Sequence, residues 1–212
     1  MAPASATASK ARASLQAGGL KPVQAAAVLA EGGLVILPTE TVWGLGSGLE
    51  SRAKLFSLKG RDTSKPAALA FSGGAAAQSS GLVRWSAEAQ RLAERFWPGP
   101  LTLILPAVPG NLAGGLIGGE GGVGIRIPDC PETLEVLRLF ARPLVLTSAN
   151  RSGEPPPSGP FPRDLFPDLP RLETSCLPGT VASTVVSLAG RQPRVLREGL
   201  ISSLVVLECL GL

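Results

Sequence analysis

The chain has 212 residues, 44% of them hydrophobic, and 20 Lys plus Arg against 16 Asp plus Glu give a net charge of +4; that length predicts one domain with a substantial core. It contains no histidine, no tyrosine and three cysteines, Cys130, Cys176 and Cys209, which excludes a Ser-His-Asp triad, a Cys-His pair, an imidazole-ligated zinc and a disulfide framework. The cysteine spacings match neither a metal knuckle nor a CxxC motif, so the thiols read as ordinary small residues of a reducing compartment.

Residues 1–19 are rich in Ala and Ser, carry Lys10 and Arg12 and lack any acidic residue. They read as a flexible tail, with a transit peptide as the alternative, and leave residues 20–212 as the folded domain. Pro22 opens a helix that runs to Ala30, Gly32 and Gly33 stop it, and Leu34–Leu37 is a strand. The run PTETVWGLG at 38–46 reads as a turn, 51–58 as a short helix delivering Lys59 and Arg61 at its end, and 67–71 as a strand. Ser86 caps a helix to about Phe96, which Trp97-Pro98-Gly99-Pro100 breaks before a strand at 101–105. A strand at 123–127, a helix from Pro131, a strand at 144–147 and late strands near 181–188 and 194–197 complete the pattern. Loose alternation of helices and strands predicts an α/β fold with a mixed sheet. No apolar run approaches the 18 residues of a membrane span, and a cytoplasmic location is expected.

Lys59, Arg61 and Lys65 form a basic cluster, bracketed by 38–46 and by Ser148-Ala149-Asn150. Cations close in sequence suit a polyphosphate, and Thr39, Thr41, Ser148 and Asn150 follow apolar runs that look like strand ends, where an α/β sheet opens its ligand crevice. Gly119, Gly121 and Gly124 match GxGxxG but precede a strand, the reverse of a dinucleotide-binding turn, and no P-loop motif is present. Taken singly, the polar residues also read as satisfied strand ends, and the cations as a solvated helix terminus.

The ordered set resembles the YrdC-type family of threonylcarbamoyl-adenylate synthases. The resemblance rests on PTETVWGLG at 38–46, Lys59-x-Arg61, Lys65-Pro66, FWPGPLTLIL at 96–105, VGIRIPDCP at 123–131, TSANRSGEPPP at 147–157, ASTVVSL at 182–188 and VLREG at 195–199. It implies a YrdC-like twisted mixed sheet flanked by helices, with a basic central cleft, in a short form without an extra domain. It further implies synthesis of threonylcarbamoyl-AMP and pyrophosphate from L-threonine, bicarbonate and ATP, with Mg2+ assisting, and delivery to a tRNA-modifying transferase complex. On the family's motifs, Lys59, Arg61, Lys65, Ser148, Asn150 and Arg197 would meet ATP, with Lys59, Arg61, Ser148 and Asn150 the catalytic set; Thr39, Thr41, Arg126 and Ser183 would hold threonine. Trp43, Asp62, Ala70 and Ser187 depart from the usual pattern, and the segment before Lys59 is short. The competing reading is a non-catalytic RNA-binding module with weak tRNA contacts, against which stands the scarcity of aromatics among the cations.

Overall fold

The computed structural model describes residues 19–60, 67–112 and 115–212. The predicted site residues Arg61 and Lys65 lie outside them, as does the predicted tail apart from Gly19.

Helix α1 (Pro22–Ala30) has proline in its first turn, where the missing N–H has no partner to lose, and Gly32 at φ 78° turns the chain into strand β1 (Leu34–Leu37). Strand β2 (Gly44–Gly48) and a 3-10 turn lead to α2 (Arg52–Lys59), which stops at Gly60 in the left-handed conformation. Then follow β3 (Ala68–Ala70), α3 (Gly74–Ser79), α4 (Ala87–Phe96), β4 (Leu101–Pro106), β5 (Gly122–Arg126), α5 (Pro131–Phe140), β6 (Leu144–Ser148), β7 (Thr184–Ser187), β8 (Arg194–Arg197) and α6 (Ser203–Leu210). The Ser86 hydroxyl oxygen accepts from the backbone N–H of Ala89 and caps α4 as the sequence predicts. Among the described residues no helix is long and apolar enough to cross a membrane.

The eight strands among the described residues join one mixed sheet in the order β1-β2-β6-β3-β5-β4-β7-β8. The pairs β3/β5 and β4/β7 are parallel and the other five antiparallel. Strand β2 corrects the expectation of a turn through Gly46. Its glycine-rich sequence has little intrinsic strand propensity, but ladders to β1 and β6 on its two sides hold it extended. A Cβ on Gly44 would come within 2.7 Å of Leu146 Cδ1, so glycine there lets β6 approach. Helices α3 and α6 go beyond the predicted elements.

Side chains alternate across a strand, so the register sorts the sheet into two faces. Leu45, Val145, Leu69, Ile125, Leu103 and Val186 lie on one and are fully buried. The helical layer completes this core, α1 packing on α5 and α4 on α6. The opposite face carries Gly46, Leu146, Ala68, Gly124, Ile104 and Ser187 across neighbouring strands, then Arg126, Thr102, Val185 and Arg197 one row further along.

Residues 149–183 connect β6 to β7 without a helix or a strand. Early in this connection Pro156 reaches over the small-residue face of the sheet. Later it runs along the outer edge of β1: Ile36 N donates to Pro170 O and Leu172 N to Ile36 O, both at 2.9 Å, while Glu173 N donates to Leu20 O at 2.9 Å.

Candidate functional site

The small-residue face floors a cavity of about 550 Å³. Gly44, Ala68, Gly122 and Gly124 leave room above the sheet, and Thr39, Thr102, Arg126, Ser148, Ser183, Arg194 and Arg197 bring polar atoms to its walls. A volume of this size suits a small-molecule ligand.

At one end the Pro38–Trp43 turn grips Arg126. The Thr39 hydroxyl accepts from the N–H groups of Thr41 (3.3 Å) and Val42 (3.2 Å) and donates to Val42 O at 2.6 Å. A carbonyl only accepts, so Thr39 has spent its hydrogen, and in the 2.9 Å contact between the two threonine hydroxyls Thr41 must donate. Thr41 Oγ1 then accepts from Arg126 Nη2 at 2.5 Å. The same nitrogen forms an ion pair with Glu40 Oε1 at 2.8 Å, and the N–H of Asp129 holds Glu40 Oε2 at 3.0 Å. Arg126 is 7% exposed, and its buried Nε has no acceptor among the described residues. An unmet donor at a buried position costs about 1–3 kcal/mol, which an incoming oxyanion would relieve.

Arg197 stands beside this group. It is paired with Val185 across β7/β8, next to the row position of Thr102 and Arg126. Its Nε donates to Ser183 O at 3.0 Å and its Nη2 to Ser183 Oγ at 3.2 Å, and Ser183 Oγ is 2.8 Å from Thr102 Oγ1. Partial withdrawal from water, helped by the like charge of Arg126, pushes the Arg197 guanidinium below its usual pKa. Two cations that disfavour each other's charge favour an anion between them.

At the other end Lys59, the last residue of α2, reaches the terminus of β6. Its ammonium donates to Ser148 O, to Asn150 Oδ1 at 3.1 Å and to Ser148 Oγ at 3.4 Å. The Ser148 hydroxyl also donates to Asn150 Oδ1. Asn150 Nδ2 donates to Arg151 O (2.9 Å) and Glu154 O (2.6 Å), so donors and acceptors agree on the orientation of the amide. Ser148 and Arg126 lie two strands apart and four residues out of register; ordinary strand spacings put about 16 Å between their backbones. The 38–43 turn joins the two ends, since Trp43 O accepts from Ala149 N at 2.7 Å.

Of the predicted residues, Thr39, Arg126, Ser148, Ser183 and Arg197 line the cavity, while Lys59 and Asn150 stand behind Ser148, and Thr41, fully buried, stands behind Arg126. Sequence reasoning missed Glu40 and Thr102. A carboxylate between two threonines and a hydroxyl alternating with Leu101 and Leu103 were the available signals. It also missed Arg194, which pairs with Glu120 at 2.8 Å on the cavity wall. Trp43 binds the connection beyond Asn150: its indole N–H donates to Gly159 O at 2.7 Å, and its ring meets Phe161 edge-on at 5.4 Å.

Residues 27–199 match the Sua5/YciO/YrdC family model, described as "Telomere recombination". The chain is 37% identical over 183 residues to threonylcarbamoyl-AMP synthase of Bacillus subtilis, covering 83% of this chain and 52% of that protein. It is 35% identical over 196 residues to a putative threonylcarbamoyl-AMP synthase of Mycobacterium tuberculosis, covering 89% and 88%. Among solved structures, Pyrococcus abyssi Sua5 complexed with L-threonine superimposes with a TM-score of 0.78 at 33% identity, over 90% of this chain and 57% of that one. The chain thus spans about half the length of its Bacillus relative and most of its mycobacterial one.

Proposed function

The chain belongs to the Sua5/YciO/YrdC family, and on that premise we propose that residues 20–212 form a threonylcarbamoyl-AMP synthase domain acting in tRNA modification. Threonine's amine adds to bicarbonate with loss of water to form a carbamate. A carbamate oxygen then attacks the α-phosphorus of ATP as the bond to the β-phosphate breaks, and pyrophosphate leaves. No protein nucleophile is required, which suits a chain without histidine. Catalysis rests on positioning and on charge neutralisation.

The observation that carries this reading is Arg126, whose buried Nε has no acceptor among the described residues, beside a second guanidinium on the same cavity. Arg126 takes the threonine carboxylate, with Thr39, Thr41 and Ser183 shaping that end. The attacked phosphorus must sit within bonding reach of threonine's carbamate, so Arg197, which stands beside Arg126, serves the α-phosphate. Lys59, Ser148 and Asn150, further along, receive the departing phosphates together with Arg61 and Lys65. Magnesium enters with the triphosphate, its usual carrier in such sites; Glu120, the one carboxylate lining the cavity among the described residues, is already engaged by Arg194. The product passes to a tRNA-modifying transferase.

The test is substrate dependence. With Mg2+ and ATP, pyrophosphate should appear only when L-threonine and bicarbonate are both supplied. Release that ignores threonine, or none at all alongside salt-sensitive RNA binding, would replace this reading with the RNA-binding one.

A further inference from the structure

Two of the three cysteines, which their spacing marks as ordinary, meet in space. Cys130, fully buried at the N-cap of α5, Glu132 in the first turn and Cys176 on the 149–183 connection each present one ligand atom, and these three atoms all lie within 4.8 Å of one another. Cys130 Sγ is 3.3 Å from Glu132 Oε2 and 4.0 Å from Thr174 Oγ1. Glu132 is not free to turn away: its other oxygen accepts from both the N–H and the hydroxyl of Ser175, each at 2.8 Å. The Thr174 hydroxyl accepts from Cys176 N at 2.8 Å and so shapes the loop that presents the second sulfur.

We propose that Cys130, Glu132 and Cys176 bind a thiophilic divalent cation of the zinc class. Zinc bonds of about 2.3 Å to sulfur and about 2.0–2.2 Å to oxygen, at tetrahedral angles, place ligand atoms about 3.6–3.8 Å apart. The three donors therefore need only small side-chain adjustments, with Thr174 Oγ1 or water in the fourth position. The anchored carboxylate is the kind of outer support that metal ligands require. Asp129 and Glu40 stand near enough to Cys176 to act on it electrostatically, and their charge favours a cation. Binding releases the two thiol protons and ties the β6–β7 connection to α5. The cluster lies outside the cavity lining and adjoins it through Asp129, whose N–H holds Glu40.

The full chain, kept reduced with a phosphine and stripped with chelator, is titrated with Co2+ and then Zn2+. One equivalent of cobalt should produce sulfur-to-cobalt charge-transfer absorption that zinc bleaches. Zinc at a hundredfold excess over its Kd should raise Tm by about 5–10 °C. Cys176→Ser, at a half-buried loop position that keeps the core intact, should weaken binding at least tenfold and diminish the band. Glu132→Gln should keep the band and weaken binding roughly tenfold. Cobalt binding without sulfur absorption, unchanged affinity in Cys176→Ser, or an unmoved Tm would each overturn the proposal.

Discussion

Replacing Arg126 by lysine keeps the positive charge and removes the planar fork. In the folded Arg126→Lys variant the new ammonium has donors for both Thr41 and Glu40 but ends one bond short of the arginine Nη2, so the 2.5 Å and 2.8 Å bonds lengthen, and the side chain loses the Nε donor. The fold should therefore lose about 1–2 kcal/mol, the cost of one poorly met buried hydroxyl, or roughly 2–8 °C in Tm. The functional loss should be larger. A hydrogen bond to a charged group contributes about 1.5–3 kcal/mol, so kcat/KM for threonine should fall roughly 10- to 150-fold. The carboxylate does not react, so the loss should appear in the KM for threonine while kcat and the KM for ATP change little. Initial rates of pyrophosphate release over a threonine titration at fixed ATP and bicarbonate, with a thermal melt of the same sample, separate the two effects. A threonine KM within twofold of the parent, or a loss confined to the KM for ATP, would refute carboxylate binding at Arg126.

Gly124→Ala should be nearly silent, since a Cβ there would meet Ala68 and Thr102 at 3.4–3.5 Å, whereas Gly124→Leu should fill the cavity and cut kcat/KM at least tenfold with Tm preserved, as steady-state kinetics and a melt would report. Thr41→Val deletes both the donor to Thr39 and the acceptor for Arg126; it should cost about 1–3 kcal/mol in urea unfolding and raise the threonine KM. Trp43→Phe keeps an aromatic ring against Phe161 but loses the 2.7 Å bond to Gly159 O, so the connection over the cleft should loosen and the product should escape to water faster in a hydrolysis time course. Arg61→Lys should lose nearly as much activity as Arg61→Ala, on the order of a hundredfold, because a bidentate phosphate contact needs the fork; a lysine variant with near-parental rates would reduce the residue to a generic counter-charge.

How far the sequence could be read followed from how local each signal is. Leu34–Leu37, Leu101–Pro106 and the Pro131 helix start announce themselves through apolar runs and caps within a few residues. Strand β2 does not, since GLGSG becomes a strand through neighbours contributed from residues 34–37 and 144–148. The site divided in the same way. The identities of Arg126, Ser183 and Arg197 came from ordered motifs, but neither the Thr41–Arg126–Glu40 chain nor the closeness of Arg126 to Arg197 has a local signature, because contacts across strands depend on register. The pairing of Cys130 with Cys176 was invisible for the same reason: 46 residues separate them along the chain, and only the return of the long connection to α5 closes the gap.

That connection also settles how the two borders of the sheet behave toward other molecules. Strand β8 ends the sheet with Arg194 and Arg197 on an irregular, bulged ladder, a charged rim that discourages further strand addition. Strand β1 has no such defence, being Leu-Val-Ile-Leu and wholly buried; the outward amide and carbonyl of its Ile36 are occupied instead by Pro170 and Leu172. Residues 170–172 thus act as a built-in blocking peptide. Proteolytic nicking on either side of them would free a short, uncharged, strongly β-prone template, and self-association would begin at β1 while the cleft on the sheet's face was still intact.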